Sequence, residues 1–203
     1  MSAGVSTASP TKQDTRLLLL EAGINIMLEK GYNNTGISEI LASVGVPKGS
    51  FYHFFESKEE YGLAIIAYTD EQYAAKMAKV FGDKSLTPIE RLKKYCAESR
   101  KDLVANECRK GCLIGNLSQE MADQSECMRA ALVNVLEKSR AAFAACIEEG
   151  QKKGEIDSKR PASELAELVQ STWTGAVLRV KTLKNTEPLD TCTRLIFEDI
   201  LKA

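Results

Sequence analysis

Apolar residues recur three and four positions apart along almost the whole chain, and no segment alternates at period two for long enough to build a strand. That regularity restricts the fold to packed helices. In TRLLLLEAGINIMLEKG, Leu17, Leu20, Ile24, Met27 and Leu28 share a face, and Gly31 stops the helix. ISEILASVG repeats the pattern over Ile37, Ile40, Leu41 and Val44 and ends at Gly45. Ser57 with Glu60 forms a capping box that opens a long helix to about Val80. Thr87, Pro88 and Glu90 supply an N-cap, an N1 proline and an N3 acid. Ser125 caps another long helix, with Met128, Leu132, Val135, Leu136, Phe143 and Cys146 aligned. Pro161 opens the next, with Leu165, Leu168, Val169, Trp173, Ala176, Val177 and Val180 inward, and Pro188 opens the last, with Leu189, Cys192, Ile196 and Ile200. The expected fold class is all-α, about nine helices: three short ones, then a larger bundle.

The 203 residues suffice for one domain or two small ones with a real core. The 27 basic and 28 acidic side chains nearly cancel, so a nucleic-acid role has to rest on a local patch. Residues 1–13, MSAGVSTASPTKQ, lack the charged and apolar regions of a signal peptide and read as a flexible arm. No apolar run approaches the roughly 18 residues that span a bilayer, so no membrane partner is expected and the expected location is cytoplasmic. There the six cysteines stay reduced. With no C-x-x-C and one histidine, the usual zinc frameworks are absent, and no cofactor fingerprint appears.

VGVPKGSFYHFFESKEE, residues 44–60, breaks the helical pattern sharply and then crowds rings together. Two short helices joined by a tight glycine turn make a helix-turn-helix. Gly45 supplies a left-handed turn residue, Pro47 pre-sets the next helix, and Gly49 lets a backbone approach another surface. Phe51, Phe54 and Phe55 turn inward. Lys48, Ser50, Tyr52 and His53 are left outward, where each can donate to phosphate or base edges. The rings anchor the helix while its polar face reads a groove.

GISEILASVGVPKGSFYHFFESKEEYGLAII resembles the N-terminal DNA-binding signature of the TetR (tetracycline-repressor-like) family of transcriptional regulators. The likeness covers roughly residues 15–66, with Tyr61 in place of the usual leucine. It implies a helix-turn-helix head over residues 14–60 and an effector-binding, dimerising domain over 61–203. By this likeness Lys48, Gly49, Ser50 and His53 fall on base- or phosphate-contacting positions, and Tyr52 and Lys58 on phosphate-contacting ones. Many members carry threonine where Gly36 stands, capping the helix and touching phosphate; here Thr35 is the substitute. Residues 1–60 hold five basic and seven acidic side chains, so affinity must come from a few placed contacts and from two copies acting together.

The second half suits pairing. STWTGAVLRVK sets Ser171, Thr174 and Gly175 beside Trp173, which permits close helix approach, and a four-helix homodimer interface is what the family implies. Around Cys112, the run ECRKGCLIGNLSQEMADQSE resembles a branch containing the N-ethylmaleimide-responsive, electrophile- and oxidant-sensing repressors. There a cysteine at the Cys112 position senses, with a lysine at the Lys181 position nearby. Cations and a helix start both favour a thiolate at Cys112, yet packing remains the alternative role. Cys96, Cys127, Cys146 and Cys192 read as small core hydrophobes. The expected function is a homodimeric regulator, most simply a repressor released from a near-palindromic operator in double-stranded DNA by a small-molecule or electrophile effector. An enzyme is not expected; the competing reading, a thiol-dependent helical oxidoreductase using Cys112, rests on that cysteine alone.

Overall fold

A computed structural model of the chain describes residues 12–157 and 159–203. Among the described residues the fold is all-helical, with nine α-helices: α1 (Lys12–Lys30), α2 (Ile37–Val44), α3 (Lys48–Phe54), α4 (Lys58–Phe81), α5 (Pro88–Ala105), α6 (Leu113–Met121), α7 (Glu126–Lys152), α8 (Ala162–Leu183) and α9 (Glu187–Leu195). Helix α1 takes in Lys12 and Gln13 of the segment read as an arm; the rest of that segment lies outside the described residues.

The caps at Thr87 and Ser125 form as the sequence indicates, and that at Ser57 forms in part. Thr87 and Glu90 form a reciprocal capping box, with Pro88 in the first turn of α5. The Ser57 hydroxyl accepts from the Glu60 amide, while the Glu60 carboxylate reaches back to the Glu56 amide rather than to Ser57. Ser125 accepts from the Met128 amide at the head of α7.

Three apolar clusters hold the chain. The first joins α1, α2, α3 and the start of α4 through Leu20, Ile40, Phe51 and Tyr61, and continues into α6 and α7 through Leu117, Met121 and Met128. The helix-turn-helix therefore shares its core with the body. A second, around Leu92, Phe143, Ile147 and Val169, ties α5, α7 and α8 to the C-terminus. The third packs Cys108 against Val177, Val180 and Leu189. Arg91, 1% exposed, donates to the Phe81 carbonyl at 2.5 Å and pairs with Glu149 at 2.7 Å, joining the end of α4 to α5 and α7.

Five expected core positions are exposed. Leu17 is exposed, and Leu19 and Gly23 are buried instead, because four consecutive leucines leave the helical phase open. Leu136 and Leu168 are exposed. The last helix widens into a π turn, Ile196–Ile200, where the Leu201 amide bonds back to Ile196. The extra residue rotates Ile200 outward and brings Leu201 in. Cys127 is exposed as well, at the solvent side of the first turn of α7, whereas Cys96 and Cys146 are buried.

Candidate nucleic-acid interface and effector cavity

The turn between α2 and α3 is closed by backbone bonds. Gly45 sits at φ 65° and ψ 27°, and the Val46 amide returns to the Leu41 carbonyl at 3.1 Å. Pro47 is the N-cap of α3 rather than its first helical residue. Phe51 is fully buried, its ring 5.2 Å from Tyr61 and 5.3 Å from Phe55. Phe54 is half-buried. Tyr61 is accommodated by Gly23: its hydroxyl donates to the Leu19 carbonyl at 2.5 Å, and a Cβ on Gly23 would lie 1.9 Å from that oxygen. Burial pushes the phenol far above its usual range, so it stays a donor.

With the rings engaged, Lys48, Gly49, Tyr52 and His53 are exposed along one side of α3 and Ser50 is half-buried. A Cβ on Gly49 would meet nothing in the chain within 4 Å. One further expected contact is placed otherwise, and another is partly engaged within the chain. Thr35 is wholly buried, its hydroxyl donating to the Gly31 carbonyl at 2.6 Å, so it offers nothing to a phosphate. It closes the corner between α1 and α2, and Gly36 begins α2 without a side-chain cap. Lys58 donates to the Asn33 carbonyl at 3.3 Å and lies 4.7 Å from the Tyr32 ring centre. Partial burial lowers its pKa, opposed by Glu120. One of its three donors therefore rests on the loop between α1 and α2.

Beyond the head, α4, α5, α6, α7 and α8 enclose a cavity of about 270 Å³. Tyr73, Tyr95, Phe143, Val169 and Trp173 supply an apolar wall. Lys76, also lining it, pairs with Asp102 at 2.8 Å. Burial pushes the Tyr95 hydroxyl up to about 12, and burial with neighbouring Cys112 also raises that of Tyr73 well above its usual range. Cys112 reaches this cavity as the N-cap of α6, its Sγ accepting from the Gly115 amide at 3.4 Å and lying 3.8 Å from the Tyr73 hydroxyl. The loop before it is tightly wound: Glu107 and Cys108 both have positive φ, 52° and 56°, and Gly111 follows at 70°. Lys181 lines a small cleft with Gly111 and Cys112, yet its ammonium donates to the Leu28 carbonyl of α1 at 3.1 Å. The two residues expected together thus share a cleft without an ion pair between them. Sequence reasoning missed Tyr73, Lys76, Tyr95 and Asp102. The available signal was a polar stripe, Tyr95, Ser99 and Asp102, at i, i+4 and i+7 on an apolar helix face. Among the described residues no group of three or more histidine, cysteine or acidic side chains is placed to hold a metal ion.

Residues 19–62 match the family model of bacterial regulatory proteins, tetR family, and residues 88–196 match that of the tetracyclin repressor-like C-terminal domain. The transcriptional regulator AcuR of Cereibacter sphaeroides is 39% identical over 87% of this chain and 80% of its own length. The HTH-type transcriptional repressor DhaR of a Mycobacterium species is 36% identical over 90% of each chain. The crystal structure of E. coli NemR in its reduced form superposes with a TM-score of 0.83 at 28% identity, over 93% of this chain and 97% of that one. With the exposed face of α3 borne on an intact helix-turn-helix, these similarities make the chain a member of the TetR family of bacterial regulatory proteins: a DNA-binding transcriptional regulator and not an enzyme.

Proposed function

We propose that the chain is a homodimeric repressor, released from a near-palindromic operator when a small molecule or electrophile occupies the cavity behind α6. The observation that carries this reading is the cavity's position. Its wall includes both the first turn of α6, at Cys112, and Tyr73 and Lys76 of α4, the helix that also carries the head. A ligand there presses on α4, which follows the recognition helix, and on α6, which packs against α1 of the head. A coupling of about 1–3 kcal/mol changes operator occupancy roughly 5–150-fold.

The contacts proposed for DNA are Lys48, Gly49, Ser50, Tyr52 and His53, with Lys58 on a phosphate through its remaining donors. Gly49 has no neighbour in its own chain to require a glycine, and a phosphate backbone approaching α3 would supply that requirement. One recognition helix reads few base pairs, so a second copy is needed. Leu168, Ser171, Gly175 and Leu178 are all exposed at i, i+3, i+7 and i+10 on α8, and the space beside Gly175 is open. This stripe is the face proposed to pair with α8 and α9 of a second copy. Such a repressor works where the chromosome is, in the cytoplasm.

The thiol of Cys112 is the proposed point of electrophile attack, with the relative crystallised in a named reduced form as its support. The test begins with selection of genomic fragments by the purified protein, followed by affinity measurements on the recovered duplex with and without N-ethylmaleimide. The expected result is one tight site with two half-sites about one helical turn apart, weakened by the reagent in the native chain but not in Cys112→Ser. A protein that recovers no duplex refutes the regulator reading as drawn. Equal weakening in Cys112→Ser refutes the sensing role of that thiol.

A further inference from the structure

We infer that Glu120 is the positioning residue that carries the state of α6 to the DNA-reading head. The inference rests on the reading of the chain as an effector-controlled regulator. It starts from an open backbone: α1 ends at Lys30 and the chain turns at Gly31, φ 82°, leaving the Tyr32 and Asn33 amides without helical partners. Both are taken by one carboxylate from the far end of α6. The Tyr32 amide donates to Glu120 Oε1 at 3.1 Å, and the Asn33 amide donates to Oε2 at 3.0 Å. The approach is close enough that a Cβ on Gly31 would lie 2.4 Å from Oε1, so this corner is shaped around the carboxylate.

The same loop is gripped from the head side. Lys58 donates to the Asn33 carbonyl, and Glu59 accepts from the Ser125 hydroxyl at 2.5 Å, tying the first turn of α4 to the start of α7. Farther back along α1, Lys110 donates to Asn25 at 2.8 Å and Lys181 to the Leu28 carbonyl. Helix α6 therefore runs beside the end of α1 with Cys112 at one terminus and Glu120 eight residues on, about 12 Å along a rigid rod. A shift of its first turn displaces the carboxylate, and the two amides with it. No other residue in α6 holds the head by a hydrogen bond to its backbone among the described contacts. Two amides need two acceptor oxygens; a glutamine has one, and turns an N–H₂ group toward the second N–H.

A double-mutant cycle tests this. Cys112→Phe places a ring at the opposite end of α6 whether or not that thiol senses anything, and Glu120→Gln unfastens the head. Two quantities are read in all four proteins: hydrogen exchange at the Tyr32 and Asn33 amides, and affinity for the operator. Glu120→Gln raises exchange about tenfold at the amide left without an acceptor, the factor expected for one lost hydrogen bond to a charged acceptor. Cys112→Phe changes operator affinity and loop exchange when Glu120 is present and by less than about twofold when it is absent. A residue that only stabilised the fold would leave those changes equal in both backgrounds, and equality overturns the proposal. So does native protection of the two amides in Glu120→Gln. If Cys112→Phe loses its helical circular dichroism, the smaller Cys112→Ala takes its place in the cycle. A wild-type chain that retains no duplex refutes the regulator reading, while the exchange arm still decides whether Glu120 transmits.

Discussion

The pairing of Gly23 with Tyr61 allows a worked prediction. A methyl at position 23 would stand 1.9 Å from the Tyr61 hydroxyl, 2.7 Å from its Cζ and 3.0 Å from Ile65 Cδ1. Gly23→Ala therefore displaces a buried ring, at about 1–3 kcal/mol for overpacking. It also pulls the hydroxyl from the Leu19 carbonyl and strands it, at about 1–3 kcal/mol more. Against this, alanine improves helix propensity by about 1 kcal/mol. The net expectation is a loss of about 3 kcal/mol, a large part of a domain's usual stability. Tyr61→Leu alone removes ring packing against Phe51 and Phe55 and costs about 2–3 kcal/mol.

In the double variant the clash and the stranded hydroxyl are both gone. It should be no less stable than Tyr61→Leu, giving a coupling of about 3 kcal/mol. Tyr61→Phe is the intermediate case: it abolishes the stranded hydroxyl but leaves Cζ 2.7 Å from the new methyl, so it rescues in part. Urea unfolding followed by circular dichroism, at one fixed protein concentration because assembly shifts apparent stability, measures all of these. Additivity of the single losses to within about 0.5 kcal/mol would refute the packing argument, since it would mean that the two side chains never contend for one space.

At the DNA face, Lys48→Ala should lower the salt slope of operator binding by about 0.9 per subunit while leaving thermal stability unchanged. Thr35→Val should do the reverse, costing about 1 kcal/mol of stability through its bond to Gly31 with no change in that slope. Native-state thiol labelling at pH 8 should reach Cys127 first and leave Cys96 and Cys146 unlabelled, because burial pushes their thiols up to about 12 and about 11; labelled peptides identify the sites. Glu149 is held well below the usual carboxylate range, chiefly by hydrogen bonds from Arg91 and then from Lys84 and Lys153. Its contribution is fully present above the ordinary glutamate pKa of about 4.3 and fades as pH falls below it. Glu149→Gln should therefore be destabilised by a constant amount at neutral pH, with the gap to wild type closing in acid; a gap that holds constant down to pH 2 contradicts this.

The head was legible because its determinants are local. Ser57, Gly45, Pro47 and the rings from Phe51 to Phe55 lie within a short stretch, and each constrains its immediate neighbours: a cap, a left-handed turn, a buried face. The Thr87–Glu90 box was readable for the same reason. Failures came where a distant residue chose between locally equal options. Nothing in LLLL selects Leu19 over Leu17; the apolar cluster that Leu19 joins does, and it includes Tyr61, 42 positions away. Thr35 looked free because its hydroxyl partner, Gly31, lies across a corner whose fold depends on Glu120, which is 88 positions from Tyr32. The bond from Lys58 to Asn33 was hidden because the two are 25 positions apart. The cavity failed to announce itself since Tyr73, Tyr95 and Trp173 each read as ordinary helix-face aromatics until three helices bring them to one space. Two of these long-range contacts, from Glu120 and from Lys58, meet at the corner between α1 and α2. A surface that only reads DNA can be encoded within one helix-turn-helix. A surface that must also respond to the body needs contacts of large sequence separation, and those are the ones that a local pattern does not reveal.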